Sequence, residues 1–274
     1  ADVALVVLWA LALIGFATGR VLDPSWARPI GTIGLIWLAA VFYLFLGLAV
    51  VGLVSFAAHI VRWIRRRRSG VQDNPSFAAR RLSKLRVATA AVVVVALGVT
   101  GYGVWEASRP QVVDVDATFA SLPPQFDGTR IAVISDLHVG PARDASFTQR
   151  VVDDVNEQKP DLVVLVGDLT DGTIPNVRDT LEPLADLDAP LGVFGVSGNH
   201  EYYADDGGRW LDVWEEFGVL TLRNARAPIE VDGATITLAG VHDATAPEPY
   251  EPDLPAALAG TSPEDFTLLL AHQP

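Results

Sequence analysis

The chain has 274 residues, no cysteine, and a formal net charge of −13 that is unevenly distributed. Residues 1–110 carry 12 basic and 4 acidic side chains, a net of +8, whereas residues 111–274 carry 8 and 29, a net of −21. An acidic second half argues against a nucleic-acid partner, because proteins bind nucleic acids through Lys and Arg. Without cysteine, disulfides and thiolate ligands are excluded, so oxygen and nitrogen atoms must hold any metal.

Three apolar stretches in the first half are predicted to be transmembrane helices, at residues 3–19, 30–61 and 87–105. The stretches 3–19 and 87–105 are about as long as the ~30 Å hydrocarbon core of a bilayer requires, and 30–61 is long enough to span it with tilt or overhang. A secretory signal peptide is the alternative interpretation of the first stretch. We therefore expect a membrane region at residues 1–110, followed by a separate domain at residues 111–274.

Nine Lys and Arg residues lie between the second and third stretches, in residues 62–86. The positive-inside rule places such a segment in the cytoplasm. The domain after the third helix is then expected outside the cytoplasm, in a multi-pass protein of the cell membrane. Contact between these basic residues and anionic lipid headgroups is favoured over nucleic-acid binding. A transporter is disfavoured, because the spans lack internal charges and a repeat.

The second half shows short apolar runs that predict β-strands and intervening amphipathic stretches that predict helices. This alternation is typical of parallel α/β domains. A hairpin is predicted at Asp232-Gly233. The predicted strands are 112–119, 131–134, 162–166, 191–196, 219–222, 229–231, 235–239 and 266–270, and the predicted helices are 145–158, 177–187 and 207–217.

Polar side chains follow four of these strands at the point where each strand ends. They are Asp136, His138, Asp168, Asn199, His200 and His272. Since residues two apart in a strand point to the same face, Asp136 and His138 are expected to project together. Open α/β sheets bind ligands at the carboxyl ends of their strands, so a site is predicted there.

The chemistry of these side chains favours a site for two divalent metal ions. Carboxylate, imidazole and amide ligands suit Mn, Fe or Zn. Asp168, alone at the middle strand end, is the expected bridge between two ions that would hold a hydroxide and clamp a phosphoryl oxygen. His200 is the predicted acid that protonates the leaving oxygen.

Four motifs in this order resemble the calcineurin-like metallophosphoesterase superfamily, in particular its membrane-anchored bacterial branch. They are Asp136-Leu137-His138, Gly167-Asp168-Leu169-Thr170-Asp171, Gly198-Asn199-His200-Glu201 and His272-Gln273-Pro274. The resemblance implies a layered α/β/β/α sandwich after the transmembrane helices. It also implies a phosphoesterase that cleaves a phosphodiester, a monoester or a pyrophosphate.

The resemblance implies a role for each matching residue. Asp136 and His138 would bind the first metal, Asp168 would bridge, and Asn199 and His272 would bind the second. Asp171 and Glu201 would orient the ligands through hydrogen bonds, although surface carboxylates that cap a turn are a close alternative. His242 receives no role from the family.

A fifth family motif, Gly-His-x-His, is not found in residues 1–274. The chain is therefore either a fragment that lacks the C-terminal part of the domain, which we favour, or a naturally short and impaired relative, and we expect weak metal binding and little hydrolysis from it. The expected partners are a phosphorylated small molecule or lipid headgroup and the membrane lipids. The alternative function is a catalytically impaired binding or sensor module on the membrane.

Overall fold

The computed structural model describes residues 2–17, 24–69, 76–140, 143–204, 207–262 and 264–273. The chain divides into two compact units, one of residues 1–16 and 32–109 and the other of residues 17–31 and 110–274. Two residues of the predicted 3–19 span, and Pro274 of the fourth motif, lie outside the described residues.

Three helices make up the apolar region of the chain: α1 (Asp2–Ala17), α2 (Pro24–Ser69) and α3 (Ser76–Ala107). Within the last two, Pro29–Arg68 and Ala79–Ala107 are long and apolar enough to cross a membrane, judged by length and composition. These segments contain the predicted spans 30–61 and 87–105. The first predicted span coincides with the 16-residue α1 and stays a prediction.

Helices α2 and α3 approach each other closely at Gly47. A methyl group built on Gly47 would lie 2.5 Å from Val92 Cγ1, so only glycine permits this contact. Small residues allow the same close approach between helices in membranes. Large apolar side chains elsewhere on both helices point outward, as with Leu53 and Val94, which are 69% and 70% exposed.

A four-stranded parallel sheet forms the first layer of the second unit, in the order β1 (Ile131–Ile134), β2 (Leu162–Val166), β3 (Val193–Val196) and β4 (Leu220–Thr221). Helix α4 (Ala145–Glu157) connects β1 to β2, and α7 (Gly207–Glu216) precedes β4. The predicted alternation of parallel strands and helices is confirmed.

A second sheet has the order β5 (Ala225–Val231), β6 (Ala234–Gly240) and β7 (Thr267–Leu270). β5 and β6 are antiparallel, and β7 pairs with β6 in parallel. Asp232 and Gly233 join β5 to β6 with φ angles of 48° and 79°, as a two-residue hairpin turn requires. Three short helices complete the unit: α5 (Ile174–Val177), α6 (His200–Ala204) and α8 (Leu254–Ala257).

The alternating residues of β2 separate two apolar cores. Leu162 and Val164 pack in a cluster with residues of β5, β6 and β7, such as Leu238, so this core lies between the sheets. Val163 and Leu165 belong to the other cluster, which includes Val152 of α4 and Trp210 of α7. The result is a helix layer, a parallel sheet and a second sheet, which confirms the predicted mixed α/β fold.

Two predicted elements were wrong. Residues 177–187 form 3₁₀ turns at Arg178–Thr180 and Glu182–Asp186 rather than one helix, and Pro183 prevents a continuous helix. Residues 112–119 have β-rich composition but form no strand. Val113 and Val115 are 78% and 81% exposed, and an apolar run without a pairing partner does not become a strand.

Candidate metal centre

The predicted site residues come together at the carboxyl ends of β1, β2, β3 and β7. The loops after β1 and β2 continue the parallel pairing of the strands: Asp136 N–H donates to Gly167 O at 3.1 Å, and His138 N–H donates to Asp168 O at 3.0 Å. This pairing keeps the first two motifs side by side. Asp168 itself is buried, whereas Asp136 is exposed.

The backbone that presents these side chains differs from the predicted one. β1 ends at Ile134, so Asp136 and His138 lie beyond the strand, and the two-residue strand period does not explain their proximity. Asp136, His138 and Asp168 all have left-handed φ angles, of 57°, 46° and 55°. Asp and His are among the non-glycine residues that adopt this conformation most readily. The Nε2 of His138 lies 3.5 Å from Asp136 Oδ1. The two side chains are therefore close together as predicted, but the left-handed backbone after β1 brings them there rather than the strand period.

Two glycines let the second and third motifs approach closely. A methyl group on Gly167 would lie 2.3 Å from the backbone nitrogen of Gly198, and one on Gly198 would lie 2.3 Å from Asp168 Oδ1. Gly167 also has a φ of 78°. His200 N–H then donates to Asp168 Oδ1 at 2.9 Å, which fixes the rotamer of that carboxylate.

Two groups of three side chains bring their donor atoms within 4.8 Å of one another: His138, Asp168 and His200, and Asp136, Asp168 and His272. Both groups contain Asp168, whose Oδ2 lies 3.7 Å from His138 Nε2, 3.9 Å from His200 Nε2 and 3.4 Å from His272 Nε2. Carboxylate and imidazole donors at this spacing fit divalent first-row metals.

Asp171 orients two of the imidazoles. Its Oδ1 lies 2.9 Å from His138 Nδ1 and 2.6 Å from His200 Nδ1, which turns the Nε2 atom of each ring toward Asp168. Burial raises the pKa of the Asp171 carboxyl, but its hydrogen bonds and charge interactions with the two histidines hold that pKa below the ordinary value. The hydrogen bond to Asp171 in turn raises the pKa of His138.

Glu201 is fully buried beneath the site. Its carboxylate accepts hydrogen bonds from the backbone N–H groups of Asp168 at 2.9 Å, Leu169 at 2.8 Å and Gly198 at 2.8 Å. Burial raises the pKa of Glu201. The side chain thus ties the second motif to the third and is not a surface carboxylate.

The fourth motif reaches the same place from the second sheet. His272 Nδ1 donates to the carbonyl oxygen of Val166 at 2.7 Å, which leaves its Nε2 facing Asp168. The amide oxygen of Asn199 accepts a hydrogen bond from Gln273 Nε2 at 3.2 Å. Asn199 lies beside His200 at the site, and its role as a metal ligand stays a prediction.

Sequence reasoning missed a polar cluster behind the third motif. Tyr202 OH lies 3.0 Å from His242 Nδ1 and 3.1 Å from Ser197 Oγ, and the side chain of His242 is buried. Burial raises the pKa of Tyr202 to about 12 and, together with the charge of Arg223, lowers that of His242. The signal was available, because Gly240-Val241-His242-Asp243 follows β6 as the metal motifs follow their strands.

Comparison with known proteins gives relatives for most of the chain. A Danio rerio protein named "Transmembrane protein with metallophosphoesterase domain" is 39% identical over 181 residues, which are 63% of this chain and 41% of that protein. The Bos taurus protein of the same name is 36% identical over 228 residues, 80% of this chain and 50% of that protein. An uncharacterized metallophosphoesterase of Helicobacter pylori is 32% identical over 169 residues, 61% and 44% of the two chains.

The chain spans half or less of the length of these relatives. Two of them are named as transmembrane proteins, in agreement with the apolar helices α2 and α3. A family model described as calcineurin-like phosphoesterase matches residues 129–274, which include all four sequence motifs and more than half of the chain. The chain therefore belongs to the calcineurin-like phosphoesterase family.

Proposed function

We propose that the protein is a membrane-anchored phosphoesterase that hydrolyses a phosphate ester with the help of two divalent metal ions. The observation that carries this proposal is the pair of donor groups that share Asp168. One buried carboxylate between two sets of imidazoles and carboxylates suits a pair of ions. The proposed substrates are a phosphodiester, a phosphomonoester or a pyrophosphate, with a lipid or envelope intermediate favoured by the membrane anchor.

The residues present fit such ions. As the resemblance implies, Asp136, His138 and Asp168 would hold one ion, and Asp168, Asn199 and His272 the other. The observed donor groups divide these side chains differently, with His272 beside Asp136 and His200 beside His138. Mn, Fe and Zn suit these oxygen and nitrogen donors. Divalent ions there would neutralise phosphoryl charge and generate a nucleophile from water.

The protein's own side chains supply orientation and a proton. Asp171 aligns His138 and His200, and Glu201 fixes the backbone from which Asp168 projects. With its Nδ1 bonded to Asp171, His200 has Nε2 free of that bond and directed into the site. We propose that this nitrogen protonates the leaving oxygen of the ester.

The proposed topology places residues 110–274, here called the catalytic unit, outside the cytoplasm. It rests on the nine basic residues within 62–86, which lie in the C-terminal part of α2 and the N-terminal part of α3, between the apolar stretches of the two helices. A protease added to intact and to permeabilised cells tests it. Cleavage of the catalytic unit in intact cells supports the orientation, and cleavage only after permeabilisation contradicts it.

The function is tested with the purified full-length protein in detergent. Metal content is measured together with hydrolysis of bis(p-nitrophenyl) phosphate in added manganese, for the natural protein, Asp168→Asn and Asp127→Asn. Asp127 is exposed and serves as the matched control. About two ions per chain and turnover that only Asp168→Asn abolishes would support the proposal. Absence of bound metal and of turnover on mono-, di- and pyrophosphate substrates would favour a binding or sensor module.

A further inference from the structure

A groove of about 640 Å³ lies between helices α2 and α3. This volume is within the roughly 300–1,000 Å³ typical of sites for small ligands. All of its lining residues belong to the unit of residues 1–16 and 32–109, and none belongs to the metal centre. They are Val50, Val51, Val54, Ser55, Ala58, Arg62, Arg80, Arg81, Lys84, Leu85 and Ala88.

The lining changes in character along the helices. Val50, Val54 and Ala58 of α2 provide an apolar wall over about 12 Å of helix length, and Ala88 contributes to the lining from α3. Arg62 of α2 follows one turn after Ala58. One end of the groove is therefore apolar, and the other end is strongly basic.

Four cations line the basic end: Arg62, Arg80, Arg81 and Lys84. Among the described residues, none that lines the groove is acidic, and the sequence of residues 62–86 contains nine basic residues and a single acidic one. The groove begins on the basic side of the close contact between Gly47 and Val92. A ligand that matches this lining carries a concentrated negative charge at one end and an apolar chain at the other.

We infer that the groove binds one anionic phospholipid, with its phosphate at Arg62, Arg80, Arg81 and Lys84 and an acyl chain along α2 and α3. Clusters of basic residues next to a membrane helix attract anionic lipids, and basic pockets between helices bind their headgroups. The apolar wall distinguishes this site from diffuse surface attraction, since only a chain-bearing ligand uses both ends of the groove. The inference does not depend on the catalytic activity.

The test is native mass spectrometry of the detergent-solubilised full-length protein titrated with phosphatidylglycerol or with phosphatidylcholine of the same acyl chains. The groove variant is R80Q/R81Q/K84Q. Its matched control, R65Q/R66Q/R68Q, removes the same charge from residues that do not line the groove. We expect the groove variant to bind phosphatidylglycerol at least about tenfold more weakly and the control to lose much less. Equal losses would overturn the inference.

A second pair of variants tests the apolar wall without changing any charge. Ala58→Trp fills the groove, whereas Ala57→Trp adds the same ring at an exposed position outside the lining. We expect only Ala58→Trp to weaken phosphatidylglycerol binding. Loss of binding in both, or in neither, would contradict an acyl chain in the groove.

Competition distinguishes a lipid from a free phosphate. Glycerol 3-phosphate carries the headgroup chemistry without acyl chains, so we expect it to displace phosphatidylglycerol poorly even at high excess. If it competes as well as the lipid, or if phosphatidylcholine binds equally well, the anionic-phospholipid site is wrong. Circular dichroism of each variant confirms that the helices are retained.

Discussion

The carboxylate of Glu201 accepts a hydrogen bond of 2.9 Å from the backbone N–H of Asp168. A fully buried acid after β3 therefore holds the residue after β2 that both donor groups share. The two residues are 33 positions apart in the sequence, and this hydrogen bond holds the loop after β2 against the loop after β3.

Replacement of Glu201 by Gln should weaken the hydrogen bonds that hold the two loops together. The glutamine side chain has one acceptor oxygen for three backbone N–H groups, so at least one buried donor loses its partner, at about 1–3 kcal/mol. We expect a lower thermal midpoint and weaker Mn²⁺ binding. Glu230→Gln, at an exposed position of β5, is the control. Equal thermal midpoints of both variants in calorimetry would show that the hydrogen bonds of Glu201 do not stabilise the protein.

The close approach of the second and third motifs should make Gly167→Ala far more destabilising than substitution of a glycine that has no close neighbours. Both Gly167 and Gly218 have positive φ, but a methyl group on Gly218 meets nothing within 4 Å. Gly218→Ala should cost about 1 kcal/mol from backbone strain alone. Gly167→Ala adds the clash with Gly198 and should cost at least about 2 kcal/mol more. Urea unfolding compares the two, and similar losses would contradict the tight contact.

Asp171→Asn should weaken metal binding while the fold persists. The change removes the charge that aligns His138 and His200, and loss of such an orienting partner costs about 10–100-fold in metal affinity. Isothermal titration with Mn²⁺ measures this effect. Asp179→Asn, at an exposed carboxylate of the 3₁₀ turn, should leave the affinity unchanged. An unchanged affinity in Asp171→Asn would exclude an orienting role.

His200→Gln separates a proton donor from a metal ligand. If His200 protonates the leaving oxygen, the variant keeps two ions, and its turnover of an alkyl phosphate ester falls about 10²–10⁴-fold. Turnover of bis(p-nitrophenyl) phosphate should fall much less, because nitrophenolate needs little protonation to leave. Loss of one ion in elemental analysis would instead show that His200 is a metal ligand, together with His138 and Asp168.

The buried His242 should make stability depend on pH. Burial lowers its pKa in the folded chain, with a smaller effect from Arg223, so the unfolded chain binds the proton more readily. Stability from this group is complete above about pH 6.5 and is lost as the pH falls toward the folded-state value. Polar side chains that contact His242 include Tyr202, Ser197, Tyr250 and Asn224.

We expect the thermal midpoint of the natural chain to fall more steeply below about pH 6.5 than that of His242→Asn. Near-UV circular dichroism at several pH values measures this difference. His59→Asn, which removes a histidine from α2, should match the natural chain. Parallel curves for the natural chain and His242→Asn would contradict the proposed linkage.

Much of the parallel half of the fold was predictable, because the apolar runs at β2 and β3 have the continuous pattern of strands buried on both faces. The same reasoning failed at residues 112–119, where strand formation depends on a partner that composition does not reveal. It also failed at 177–187, where Pro183 interrupts an apparently helical spacing.

The sequence predicted which residues form the site, but it did not predict the backbone conformation or the side-chain orientations that bring them together. Strand ends and motif order brought Asp136, His138, Asp168 and His272 to one place. The left-handed backbone at the first three, and the turn of the His200 ring onto Asp171, depend on contacts between distant loops. The position of His242 after β6 was visible in the sequence, but the contact of its ring with Tyr202 was not, because the two residues are distant in the chain.

The left-handed backbone at Asp136, His138 and Asp168 also restricts which residues evolution can place there. Few residues other than Asp, Asn, His and Gly adopt that conformation at a low cost in conformational free energy, so these positions are constrained by folding as well as by chemistry. A lineage that loses catalysis should therefore drift toward Asn or Gly at these positions before it accepts bulky or β-branched residues. Libraries randomised at these codons should recover the same narrow set when selected for expression alone.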